Sequence, residues 1–365
     1  MDHFEFYMPT KIIFGEGKIS ELKKHVPDNI NKILIVTDKD VAEKSGALNK
    51  INSQLKDKSL LIIDEIEENP SVQQINNLGK YARYNNIELV IGLGGGSCMD
   101  AAKGIALLAT NESNINEYLD GKDLENKPLQ NICIPTSSGT GSEATPYAVF
   151  TDRKNSSKKA LSFNELFPLA SIIDPELSWS MPEAVIINTG FDALTHCIEA
   201  YLSTETFELN DHLALQGIKL VIDNLSDARK KDKKAMSFMS YASLLGGITI
   251  AHASTILLHI MGYPLTVYHK IPHGKANAIL LASFMNFMKE KSSVKNKVLN
   301  IDKIFESKGG IKKYVQSFGI STSLSDYNIE ESEYVLFAKK TIIKSDIKIT
   351  PAIISETDIV NIYKS

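Results

Sequence analysis

The chain has 365 residues, too many for one ordinary hydrophobic core, so two domains of roughly 150 to 200 residues each are expected. With 43% apolar and 23% charged residues it has an ordinary globular composition, and 40 Lys plus Arg against 44 Asp plus Glu leave no basic excess to hold nucleic acid. Basic runs such as Arg229-Lys230-Lys231 stand among acids and read as solvated surface.

The N-terminal MDHFEFYMPT has neither a basic n-region nor an apolar h-region, so no signal peptide is expected. FEFYMPTKIIFG reads as an extra edge strand or hairpin. Residues 32–37 (KILIVT) form a β-branched strand ending at Asp38, followed by a helical stretch. A second strand covers 59–63, an amphipathic helix 71–85, and buried strands 89–93 (LVIGL), 131–135 (NICIP) and 170–173 (ASII). Strands alternating with helices at this pitch predict a parallel sheet covered on both faces. After Asp174-Pro175 the strand signal ends, and from about Pro182 helix follows helix. The expected domains are therefore an α/β unit over 1–178 and an all-helical unit over 179–365.

Two loops of the first domain suit a nucleotide. Gly94-Gly95-Gly96-Ser97 follows the buried strand LVIGL and opens a helix; free N–H groups and the helix dipole there favour a pyrophosphate. The order is not G-x-G-x-x-G, and the strand-ending acid, Asp38, comes before the glycines. Asp38 either accepts hydrogen bonds from ribose hydroxyls, which favours NAD over NADP, or only caps a helix. The second loop, PTSSGTGSE after the strand NICI, offers small hydroxyl and glycine residues for a phosphate and ribose path. Thr140 and Glu143 also have capping-box spacing, so a purely structural helix start competes.

The second half carries a possible metal set. Asp192 and His196 are four apart on a helical segment and share a face. His259 lies in a long uncharged helical segment and His273 at a Pro-His-Gly turn. One carboxylate and three imidazoles from three places can close around a borderline divalent ion, Fe(II) or Zn(II) rather than Ca or Mg. Residues 242–265 carry no Asp, Glu, Lys or Arg and have the length of a membrane span, yet read better as a helix buried all round. The three cysteines, Cys98, Cys133 and Cys197, are odd in number, widely spaced and without CxxC; this argues against disulfides and for a reducing cytoplasm. Cys197 beside His196 reads as a small buried hydrophobe.

Taken in order, FYMPTKIIFG, IVTD, GLGGGSCMDAAK, PTSSGTGSE, IIDPEL, TGFDALTHCIEAY, HIMGYPL and IPHGKANAILL resemble the iron-containing (group III) alcohol dehydrogenases, most of all the propanediol- and butanol-dehydrogenase-like members. The resemblance runs nearly end to end. It implies a dehydroquinate-synthase-like fold, with Fe(II) or Zn(II) on Asp192, His196, His259 and His273. It further implies that Gly94, Gly95, Gly96, Ser97 and Asp100 meet the pyrophosphate and Asp38 the adenosine ribose. Thr136, Thr140 and Lys159 would lie along the nucleotide, with Lys158 competing for the place of Lys159. Many members have a histidine four residues after the third ligand, often assigned to proton transfer; this chain has Tyr263 there. With a reference pKa near 10, tyrosine is a poorer shuttle near neutrality, so Tyr263 reads as a pocket wall with a hydrogen-bonding tip or as a proton-relay residue.

The expected reaction is reversible hydride transfer between NAD and a small primary alcohol, diol or aldehyde, with the metal polarising the substrate oxygen. A cytoplasmic homodimer, with no nucleic-acid or membrane partner, goes with it. The alternatives are another reaction on this scaffold (a polyol dehydrogenase or an NAD-dependent sugar-phosphate cyclase) and an inactive metal- or nucleotide-binding protein. A cyclase would need a cluster of Lys and Arg near the metal, where the segments offer only Lys270 and Lys275.

Overall fold

The computed structural model of the chain describes residues 3–155 and 157–365. It divides into two compact units: Tyr7–Pro182, and Glu183–Ser365 joined by the segment that ends at Phe6. The division thus falls four residues beyond the expected boundary at 178, and the N-terminal arm joins the second unit. Phe4 stacks on Phe207 and Phe6 on His252 within that unit, which gives the arm its apolar anchors.

The first unit contains β1 (Lys11–Phe14), β2 (Lys32–Val36), α1 (Lys39–Lys44), α2 (Ala47–Gln54), β3 (Ser59–Ile63), α3 (Val72–Tyr84), β4 (Leu89–Gly94), α4 (Gly96–Thr110), α5 (Ile115–Leu119), β5 (Gln130–Pro135), β6 (Tyr147–Asp152), β7 (Ser157–Ser162) and β8 (Ala170–Ile173). Six strands make one sheet in the order β1-β8-β5-β4-β2-β3, every pair parallel. Alternation along each strand feeds two cores. Leu34, Val36 and Val90 pack with Ile75, Ala102, Ile105 and Phe150 on one face. Ile33, Ile35, Ile91 and Ile134 pack with Ile19, Leu22 and Ile51 on the other. Burial on both faces explains why these strands read as continuous apolar runs.

The N-terminal segment forms the edge strand of the two expected alternatives, β1, parallel to β8. A hairpin does occur at β6–β7, where no strands were expected. Its signal was present in the alternating burial of Ala148, Phe150 and Asp152, closed by Asp152 accepting from the Asn155 N–H (3.1 Å) and side-chain amide (2.7 Å).

The second unit is helical: α6 (Glu183–Leu202), α7 (Glu208–Ala228), α8 (Lys233–Ala253), α9 (Leu257–His269), α10 (His273–Lys291), α11 (Lys295–Phe305), α12 (Ile311–Gln316), α13 (Glu331–Ile342) and α14 (Glu356–Lys364). The uncharged stretch 242–265 is not one helix. It breaks after Ala253, with Ser254 at φ 55°, and α8 and α9 meet at a bend of 112°. Among the described residues no single helix is long and apolar enough to cross a membrane. Small residues let the helices approach: a Cβ on Gly217 of α7 would fall 2.4 Å from Cys197 Sγ, and one on Gly246 of α8 would fall 3.3 Å from His196 Cβ. Cys197 is fully buried in that contact, as a small hydrophobe.

Candidate metal centre and nucleotide loops

Helical periodicity puts Asp192, His196 and Glu199 on one face of α6, at i, i+4 and i+7. The break before α9 places His259 in that helix's first turn, against the same face of α6. His273 opens α10 directly after Pro272. A Cβ on Gly274 would lie 1.9 Å from the carbonyl oxygen of Asn188, so the α10 N-terminus meets α6 backbone to backbone and delivers His273 beside Asp192.

Donor atoms of Asp192, His196 and His259, all buried, lie within 4.8 Å of one another. Asp192 Oδ1 is 3.6 Å from His259 Nε2 and 3.9 Å from His273 Nε2. The His196 and His259 rings stack with centroids 4.6 Å apart, and those of His259 and His273 are 5.1 Å apart. The first three ligand candidates are almost wholly enclosed, whereas His273 is partly exposed and marks the open side. Burial pushes the Asp192 carboxyl up, but the surrounding imidazoles of His196, His273 and His259 hold it below the ordinary carboxylate range. Burial pushes the His259 imidazole down, and Glu199 with Asp192 outweighs it, raising the ring to about 9.

Asp192 Oδ1 and His259 Nε2 are buried and make no hydrogen bond, although they face each other. Orphaned buried polar atoms are costly, and two of them turned on one point fit a cation between them. The donor set, one carboxylate oxygen and imidazole nitrogens, suits Fe(II) or Zn(II). Tyr263 stacks on His273 (centroids 5.4 Å apart, planes at 22°), so its ring forms a wall beside the most exposed ligand candidate.

Glu199 was missed as a site residue, although its spacing three after His196 was a usable signal. Its carboxylate is fully buried; Oε2 meets His259 Nδ1, and Oε1 accepts from the N–H groups of Ile256 (2.8 Å) and His259 (3.2 Å).

In the first unit, the C-terminal ends of β2, β4 and β5 gather most of the expected nucleotide residues. Gly94 has φ 148°, a left-handed conformation that glycine adopts without strain, and a Cβ there would meet Cys98 Sγ at 2.7 Å. No side chain caps the N-terminus of α4 at Gly95, which leaves its first N–H groups for an anion. The second loop comes directly against this turn. Thr136 N–H donates to Gly94 O (3.0 Å), and a Cβ on Gly96 would meet Thr140 Cγ2 at 2.6 Å. Thr140 Oγ1 accepts from the Ser142 N–H (3.3 Å), but the N-cap of the short 3-10 turn at Ser142–Ala144 is Gly141, without a side-chain cap, so the expected capping box does not form there.

Asp38 caps α1, with Oδ1 accepting from the Val41 N–H (2.9 Å), while Oδ2 accepts from the Cys98 thiol at 3.5 Å. The capping reading is therefore realised, and one oxygen stays beside the glycine turn. Ser97 Oγ accepts from the Asn69 N–H (3.1 Å), and Lys158 Nζ donates to Asn69 Oδ1 (2.6 Å). Lys159, one residue on and so on the other face of β7, instead reaches Asp120. Asp100 has both oxygens engaged within the protein, Oδ1 by Ser142 Oγ (2.6 Å) and Oδ2 by the Val149 N–H (2.9 Å), a task other than the pyrophosphate contact expected of it. Next to it the fully buried Lys103 donates to Ser142 O (2.7 Å), Ser142 Oγ (2.8 Å) and Tyr147 O (2.7 Å). Burial pushes the Asp100 carboxyl up and the Lys103 ammonium down from their ordinary values. Asn69, Lys158 and Lys103 complete the set that sequence reasoning left out or ranked second.

Comparison with known proteins decides the family. The iron-containing alcohol dehydrogenase model matches residues 9–175, and the C-terminal model of the Fe-containing alcohol dehydrogenase family matches residues 186–365. The chain belongs to the iron-containing alcohol dehydrogenase family. Such proteins are oxidoreductases, and the α/β unit and the helical unit together superpose on solved members of the family over nearly the whole chain. The chain is 37% identical to alcohol dehydrogenase 4 of Schizosaccharomyces pombe over 288 residues, 77% of this chain and 68% of that protein. It is 29% identical to 1,3-propanediol dehydrogenase of Citrobacter freundii over 382 residues, covering 99% and 98%. The crystal structure of an iron-containing alcohol dehydrogenase from Thermotoga maritima superposes with a TM-score of 0.90 at 34% identity, covering 99% and 98% of the two chains.

Proposed function

We propose that this protein is a metal-dependent, NAD-linked dehydrogenase that interconverts small primary alcohols or diols with aldehydes. The observation that carries this reading is the buried pair Asp192 Oδ1 and His259 Nε2, 3.6 Å apart with no hydrogen bond to either, beside His196 and His273. Fe(II) is the proposed ion, with Zn(II) as the other ion this donor set accepts. In such an enzyme the ion polarises the substrate oxygen and the nicotinamide exchanges a hydride with the substrate carbon.

The protein's own part is binding and orientation. Asp192, His196, His259 and His273 would hold the ion, with Tyr263 as a wall beside His273. The N-terminus of α4 and the 94–97 turn would bind the pyrophosphate, with Thr136 and Thr140 along the nucleotide. Asp38 Oδ2 would accept from ribose hydroxyls and repel a 2′-phosphate, which favours NAD. For the lysine on this path, the Asn69 contact next to Ser97 favours Lys158 over Lys159. Asp100 would act through the Ser142 loop. The phosphorylated-substrate alternative loses one of its two cations, because Lys275 Nζ lies over the Tyr327 ring at 4.9 Å.

We also propose a cytoplasmic homodimer. Three buried free thiols suit a reducing compartment, and β1, the edge strand of the six-stranded sheet, would be the place for a second copy to pair.

The test is anaerobic reconstitution of metal-stripped protein with Fe(II) or Zn(II), following NADH and NADPH oxidation with aldehydes of increasing length. Turnover with NADH that appears only on metal loading is expected. Stoichiometric metal binding without turnover for either ion would remove the proposed reaction.

A further inference from the structure

We infer that Glu199 is a positioning residue that presets the metal centre, fixing both the tautomer of His259 and the start of the helix that carries it. The inference rests on the metal reading above. The argument is a count of donors and acceptors. The first turn of α9 leaves backbone N–H groups without intrahelical partners, and it follows a bend of 112° at which Ile256 serves as N-cap without a side-chain cap of its own. Glu199 Oε1 accepts from two of these groups, Ile256 N–H and His259 N–H. Oε2 meets His259 Nδ1.

Two backbone N–H donors and the His259 Nδ1 atom thus converge on one fully buried carboxylate, whose two oxygens are acceptors, so Nδ1 is the ring atom placed to carry a proton toward it. The consequence for the ring follows directly. With Nδ1 donating its proton to Glu199, the proton that His259 gives up when a cation binds is the one on Nε2, and the lone pair left there is on the atom that faces Asp192 Oδ1. A carboxylate behind an imidazole also makes Nε2 a better donor to a cation. Glu199 therefore ties α6, which carries Asp192 and His196, to the helix that carries His259.

Glutamine cannot replace it. Its side chain has one acceptor oxygen and an NH2 group, so either the α9 N–H pair or Nδ1–H faces another donor. Aspartate is shorter by one methylene and cannot reach both sets of donors.

The experiment compares wild type and Glu199→Gln, each stripped of metal and titrated with Co(II) against a chromophoric chelator, with the d–d spectrum recorded. The wild type is expected to bind one Co(II). Glu199→Gln, with wild-type helical circular dichroism, should bind roughly 10–100-fold more weakly and with shifted d–d bands. Equal affinity and an unchanged spectrum in a folded Glu199→Gln would overturn the inference. Wild type that binds no Co(II) would instead remove the metal reading beneath it. Should Glu199→Gln fail to fold, nitrogen NMR of the Zn(II)-loaded wild type decides the matter. The His259 signal, assigned by its loss in His259→Gln, should show the proton on Nδ1 and the metal on Nε2; the reverse arrangement overturns the inference.

Discussion

Gly274 and Asn188 touch backbone to backbone: a Cβ on Gly274 would fall 1.9 Å from Asn188 O and 3.0 Å from Asp192 N. No side chain fits, so Gly274→Ala must push α10 away from α6 and carry His273 away from Asp192. Overpacking of this kind costs about 1–3 kcal/mol or more. A lower melting temperature and at least about tenfold weaker metal binding are expected. Thermal unfolding and chelator competition check both; wild-type values in both would show that the contact yields without moving the ligand.

Tyr263 stacks on His273 through its ring, and Tyr263→Phe keeps that ring. Metal affinity should be unchanged and kcat should stay within about tenfold, because a hydroxyl with a reference pKa near 10 contributes little proton transfer near neutrality. A fall in kcat of about three orders of magnitude with metal retained would make the hydroxyl a proton-relay group.

Lys103 joins α4 to the 142–147 segment, and its ammonium also neutralises a neighbourhood that holds Asp100. Lys103→Met removes one partner of a buried ionic network, which costs about 3–5 kcal/mol. The variant should melt lower and bind NADH at least about tenfold more weakly, while its Co(II) affinity matches wild type. Fluorescence titration with NADH is the measurement; unchanged NADH affinity would confine Lys103 to stability.

Burial raises the Glu143 carboxyl to about 7 from its ordinary 4.5, with its own N–H and Lys103 pulling the other way. A raised folded-state value means that the stability it contributes is complete below pH 4.5 and is lost as pH rises through 7. Glu143→Gln cannot ionise, so its stability relative to wild type should grow across that window, by up to about 3 kcal/mol, and level off above it. Denaturant midpoints at pH 4.5, 6 and 8 test this. A constant difference would place the ionised form in the folded state throughout.

Asp38→Gly removes both the α1 cap and the carboxylate beside Gly94. Replacing a capping side chain by glycine costs only a few tenths of a kcal/mol, so the fold should survive. The ratio of kcat/KM for NADH over NADPH should fall by at least about tenfold. An unchanged ratio would leave Asp38 with its cap alone.

Local pattern alone was enough for the parallel α/β half. β2, β4 and β8 are apolar runs of strand length between helical segments, and Asp192 and His196 share a helix face by period. Motif order was also enough to carry the resemblance to the iron-containing alcohol dehydrogenases. The hairpin β6–β7 escaped because charged residues, Asp152 and Lys158, take buried positions of its alternation and its second strand, SKKALS, has no β-branched residue.

What the chain's pattern could not decide is which side chains meet. Residues 242–265 are uncharged throughout, so the bend at Ser254 is invisible to charge and hydropathy; there Glu199, 57 residues before Ile256, takes the Ile256 N–H. Asp100 and Lys159 stand where a motif would put cofactor residues, yet Ser142, Val149 and Asp120 occupy them, and those partners come from other segments. Periodicity and turn chemistry act over a few residues and are written in order along the chain. The partner of a buried charge is chosen by desolvation, which compels each such group to find whatever donor or acceptor the folded backbone brings to it, and that choice exists only once α6, α9 and α10 have packed.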